Sequence, residues 1–186
     1  MADFQKEWPW KWADLLGYDA GQNLQLVVEL KPRVPQAGTL HMAGQWLREV
    51  GQERPELYAL FITPEWVLLR NPAPHRQPRL RVLGTQRQAV QVQLADRLGA
   101  DVDFAVNASE CLGAAIDTQR MPLAKLVAGG LERVVASWLS AALQDLPAEL
   151  LAQPAQGWLV DSGLHTALRH GTVMASSNPA AYAFAG

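Results

Sequence analysis

The sequence predicts an α/β fold, a mixed β-sheet flanked by helices, on three observations. Two apolar segments, 12–18 and 24–31, flank a stretch of turn-forming residues and read as a β-hairpin. A segment with helical periodicity, 38–53, is followed by a continuous apolar run, 57–63, as in a strand buried on both faces. The second half is dominated by apolar residues at helical spacing. The 186 residues suit a single domain. It is expected to hold an αβ core over 10–84, with a mainly helical extension over 85–186 packing on it.

Each element has a local cause. In the hairpin, Asp19-Ala-Gly-Gln-Asn23 supplies the reversal, and Pro32 and Pro35 end the second strand. Leu40, Ala43, Trp46, Leu47 and Val50 make one apolar stripe along 38–53, which Pro55 stops. This helix is the expected crossover between two sheet strands. Thr63-Pro64-Glu65 turns the chain into a strand at 66–70, and a weaker strand follows near 79–83. The segment 86–98 reads as a helix, although Val90, Val92 and Leu94 alternate as in a strand. The best helix is expected over 122–144, with Leu123, Leu126, Val127, Leu131, Val134, Val135, Trp138, Ala142 and Leu143 on one face. Asp161 or Ser162 is expected to cap a helix over 163–170, Gly171 to close it, and a short strand to follow near 172–174.

Composition narrows the function classes. Hydrophobic residues make up 49% and charged residues 18%, which is globular. No apolar run reaches the roughly 18 residues of a membrane span, and the first residues lack a basic, then apolar, signal pattern. The single Cys111 supports neither a disulfide framework nor a cysteine zinc cluster, and a cytoplasmic location is expected. The net charge is −2, yet Trp66–Ala95 carries five arginines and no Asp, Glu or Lys. Arg70, Arg76, Arg79 and Arg81 in that stretch, with Arg33 upstream, are candidates for gripping a phosphate backbone.

The hairpin carries the candidate chemistry. Alternation puts Glu29 and Lys31 on one sheet face, about 6–7 Å apart. Asp14 lies opposite Glu29 if the turn centres between Gly21 and Gln22, and opposite Val27 if it centres one residue earlier. Either register puts both carboxylates on one face within about 4.5–8 Å, and a one-residue slip separates them. Two such carboxylates resist ionising together unless a cation neutralises them. Mg²⁺ (or Mn²⁺) suits carboxylate oxygens, water and phosphate oxygens together. Asp14 and Glu29 are therefore candidate metal ligands, and Lys31 a point charge beside the attacked phosphate.

At these residues the chain resembles the PD-(D/E)XK nuclease superfamily, whose restriction-endonuclease-like core runs helix, three-stranded meander, helix, strand. Ala13-Asp14 stands at the family's Pro-Asp, and Glu29-Leu30-Lys31 matches its Glu-x-Lys. The helix at 38–53 and the strand at 57–63 follow in the family's order. Residues 58–70 resemble the strand, turn and strand of bacterial members, and 136–139 and 158–164 are similar to their C-terminal parts. The resemblance implies a Mg²⁺-dependent nuclease hydrolysing DNA, with Asp14, Glu29 and Lys31 catalytic. It also implies a positioning role for Gln45 on the following helix. Ala13 departs from the family's proline, and the upstream helix, a common source of a further acid, has no room; only Glu7 is near. That departure implies one of two things. Either the chain is an inactive module that binds nucleic acid or protein, or a partner or a second copy in a homodimer completes the site.

Other constellations are weaker. His41, His75, His165 and His170 have no metal-ligand spacing, although His41 stands one helical turn before Gln45. Asp161, Ser162 and His165 read as a cap and a helix histidine rather than a hydrolase triad. Trp46 and Trp138 lie on apolar helix stripes and read as core, whereas Trp8, Trp10 and Trp12 are free to pack or to stack bases. No glycine-rich phosphate loop is present.

Overall fold

A computed structural model describes residues 13–31, 36–84, 88–119 and 128–176. The hairpin forms as β1 (Leu15–Tyr18) and β2 (Leu24–Leu30), followed by α1 (Gln36–Glu53), β3 (Tyr58–Ile62) and β4 (Trp66–Arg70). After a short 3-10 turn come β5 (Arg81–Leu83), α2 (Gln88–Leu98), β6 (Phe104–Asn107) and α3 (Ala108–Gln119). The chain continues through α4 (Ala128–Gln144), α5 (Pro147–Leu151), α6 (Trp158–Asp161), α7 (Leu164–Leu168) and β7 (Thr172–Ala175). The described strands form one mixed sheet in the order β5-β6-β4-β3-β2-β1-β7.

Two cores sandwich the sheet. Ala43, Leu47 and Val50 of α1 and Leu94 and Leu98 of α2 pack on Val27, Ala59, Phe61, Leu68 and Ala105. On the other face, α3, α4 and the short C-terminal helices pack on Leu26, Val28, Leu60, Leu69 and Val106. β3 is buried at every position, as its unbroken apolar run predicts.

The α1 crossover joins parallel β2 and β3, and α2 joins parallel β5 and β6. Those two steps run in opposite directions along the sheet, yet both helices lie on the same face. The crossovers therefore have opposite hands, and one departs from the usual right-handed rule.

The structure revises several sequence expectations. Residues 85–186 do more than pack on a finished core: β6, in a region expected to be helical, lies between β4 and β5, and β7 pairs with β1. The helix expected over 122–144 is described from Ala128 onward, and 121–127 lie outside the described residues. The helix expected at 163–170 is the shorter α7. Its N-cap is Gly163, at φ 83°, while Ser162 Oγ accepts from Leu164 N–H at 3.3 Å. The left-handed residue after α7 is His170, at φ 62°. Gly171 is needed for close approach instead, since a Cβ there would lie 1.8 Å from the Tyr18 carbonyl oxygen.

Strand directions define two ends of the sheet. One end gathers the start of β1, the ends of β2, β3 and β6, and the start of β4. Asp14, Glu29, Lys31, the Thr63–Trp66 turn and Asn107 stand there. Tyr58, Arg70, Asp103 and Arg81 stand at the opposite end.

Candidate active site at one end of the sheet

The hairpin register is Leu15↔Val28, Leu16↔Val27 and Gly17↔Leu26, as expected for a turn centred between Gly21 and Gln22. It shifts at Gly17/Tyr18, where Tyr18 pairs with Leu24. The turn is held by Asp19, whose Oδ1 accepts from Asn23 N–H at 2.9 Å, and by Gln22 at φ 64°.

Regular alternation stops at Asp14. Ala13 belongs to the core under α1 and α2, whereas Leu15 belongs to the opposite core. Asp14 N–H donates to Val28 O at 2.8 Å, the carbonyl of the residue that pairs with Leu15. On its other side, Asp14 O accepts from Ser176 N–H at 2.8 Å. The backbone is pinned between β2 and the end of β7, and the side chain turns across the strand end. Its Oδ2 accepts from Leu30 N–H at 2.7 Å and replaces the ladder partner that β1 no longer supplies.

Glu29 pairs with Phe61 and so points to the α1 face, only 4% exposed. Its Oε1 forms an ion pair with Lys31 Nζ, and its buried Oε2 has no hydrogen-bond partner among the described residues. Lys31 N–H is bound to Ile62 O at 2.9 Å, which anchors the residue on β3.

Electrostatics ties the three groups together. Burial raises the Glu29 pKa to about 7; Lys31 opposes the rise and the Asp14 charge adds to it. Burial also raises Asp14 to about 6, against the Leu30 hydrogen bond and Lys31, with Glu132 adding to the rise. Sequence reasoning missed Glu132. It lies on α4, which packs on β2 and β7, and no spacing in the sequence signals that docking.

A metal ion fits this donor set in one respect: a buried carboxylate oxygen that lacks a partner gains one. Among the described residues no three His, Cys, Asp or Glu side chains gather into a metal-binding group. Mg²⁺ commonly takes only one or two carboxylates and keeps several waters.

Other candidates lie apart. Gln45 is exposed, its Nε2 donating to Glu49 Oε1 at 3.1 Å along α1, so its amide is turned outward. Arg70 is half-buried at the far end of the sheet, its guanidinium packed over Gly51, and burial lowers its pKa. Arg76 is spent on the buried Asp103 at 2.8 Å, and Arg81 lies 3.5 Å from Asp161 and over the Phe104 ring. Arg79 is exposed on the loop before β5. These four arginines do not surround Asp14 and Glu29. Arg33, Glu7, Trp8, Trp10 and Trp12 lie outside the described residues. His165 is buried with its ring on Asp145 O at 3.0 Å, and Ser162 Oγ donates to Leu159 O, which leaves no triad.

Compared with protein-family models, curated proteins and solved structures, the chain matches none. Among the described residues no helix is long and apolar enough to cross a membrane.

Proposed function

We propose that the chain is a Mg²⁺- or Mn²⁺-dependent nuclease that hydrolyses DNA phosphodiester bonds at the Asp14–Glu29–Lys31 end of the sheet. The observation that carries this reading is Glu29: a buried carboxylate with one oxygen on Lys31 and the other without a partner, beside a second carboxylate. Asp14 and Glu29 would hold the ion, which when bound neutralises both carboxylates and makes water a nucleophile near neutral pH. Lys31 places a positive point charge where charge develops on the attacked phosphate. The Leu30 N–H holds Asp14 Oδ2 and fixes that carboxylate at the strand end. The β1–β2 hairpin and the α1 crossover into β3 support the restriction-endonuclease-like resemblance. β7 pairs antiparallel with β1 but comes from Thr172–Ala175, far along the chain, and so departs from a meander of consecutive strands.

One observation favours a second reading, a non-catalytic module of the same architecture that binds nucleic acid or protein: Lys31 is already engaged by Glu29. Cleavage of end-labelled DNA by the full chain, with Mn²⁺ and with EDTA, separates the two. The nuclease reading expects cleavage that needs the ion and is lost in Asp14→Asn, Glu29→Gln and Lys31→Ala. Binding without cleavage under every ion condition overturns it.

A further inference from the structure

A cleft of about 430 Å³ opens at the same end of the sheet, between α1, α2 and the Thr63–Trp66 turn. We infer that it holds one unpaired base of the substrate strand, so that single-stranded nucleic acid is the preferred form; this rests on the nuclease reading above. Three features argue for it.

The first is position. Phe61, beside Glu29, pairs with Leu68 on β4, and Trp66 shares the Leu68 face. The cleft therefore begins two strand spacings across and two residues along from Glu29, about 12 Å, with Asp14 one strand further. It opens on the α1 face, to which Glu29 also points. A nucleotide next to the bond being cut reaches it.

The second is the lining. Leu40 and Val90 give apolar wall, and Gln93, Arg97 and Asn107 give hydrogen-bonding groups. Asn107 Oδ1 accepts from Glu110 N–H at 3.1 Å, so its amide nitrogen is the group left to donate to a ligand. Apolar walls with a few placed donors and acceptors match a heterocycle with polar edges.

The third is charge. The lining holds one cationic side chain, Arg97, and one carboxylate, Glu65, so it carries no net positive charge for a polyphosphate. A base is uncharged and fits. A duplex offers such a base only after it is unpaired and unstacked.

The test is fluorescence anisotropy of the full chain in EDTA, with a labelled single-stranded oligonucleotide and with its matching duplex. The single strand is expected to bind about tenfold more tightly or better. Arg97→Ala and Gln93→Ala, both exposed on α2, should each weaken it about fivefold or more and leave duplex binding unchanged. Equal binding of both forms, no binding of either, or single-strand affinity untouched by both substitutions overturns the inference. Mn²⁺-dependent cleavage that Glu29→Gln abolishes judges the nuclease reading separately, so a functioning nuclease with an irrelevant cleft is recognised as such.

Discussion

Replacing Glu29 with Gln keeps the shape of the side chain and removes its ionisation. The Glu29 pKa is about 7 in the fold, against an ordinary 4.5. At about 1.36 kcal/mol per pKa unit, the raised pKa lowers the net stability of the fold by roughly 3 kcal/mol at pH 8, and by under about 1 kcal/mol at pH 5, where the folded state keeps Glu29 protonated. Because the pKa is raised, the Glu29 contribution to stability is complete below about pH 4.5 and is lost as the pH rises through about 7. Glu29→Gln should therefore stabilise the metal-free protein by about 2–3 kcal/mol at pH 8 and much less at pH 5. For a chain of 186 residues this corresponds to a gain of roughly 4–12 °C in Tm at pH 8. Urea and thermal unfolding in EDTA, at both pH values, measure it. Equal destabilisation at both pH values would refute the reasoning, because Glu29 would then be a well-satisfied carboxylate whose ion pair the substitution merely removes.

Three further outcomes follow from particular contacts. Arg76→Ala strips the buried Asp103 of its partner and should cost about 2–3 kcal/mol in urea unfolding, below a fully buried pair because the guanidinium is 24% exposed. It should leave DNA affinity unchanged in the anisotropy assay, since Arg76 stands at the far end of the sheet. Gly171→Ala forces a Cβ against Tyr18 O and should lower stability by about 2–3 kcal/mol, read by thermal unfolding. Gln45→Ala should leave Mn²⁺-dependent cleavage rates within about twofold, because its amide is engaged with Glu49 on the outer side of α1.

Much of the fold was legible where local pattern and burial agree. The stripe of α1 and the apolar run of β3 each report one environment, and both elements form close to their expected bounds. The hairpin turn set the pairing of Leu15 to Gly17. Asp14 was harder to read, because its backbone leaves the ladder and its side chain caps Leu30 N–H; alternation describes neither. β6 was hidden because Phe104–Asn107 is only four residues long and follows the polar Asp101 and Asp103. Its place in the middle of the sheet comes from long-range pairing. The partners of Arg76 and Arg81 were hidden for a related reason. The run of arginines in the sequence shows charge but not partners, and Asp103 and Asp161 come from segments far along the chain. Glu132 reaches Asp14 only because α4 docks on β2 and β7, which is a tertiary fact.

The account centres on a divalent ion held by Asp14 and Glu29, and Mn²⁺ titration calorimetry of the full chain near pH 8 tests it most directly. One Mn²⁺ should bind each chain, more weakly and with growing proton release as the pH falls through about 7 and 6, where Glu29 and Asp14 take up protons. Glu29→Gln should remove that binding. No Mn²⁺ uptake by the folded wild-type protein, or uptake unchanged in Glu29→Gln, would contradict it.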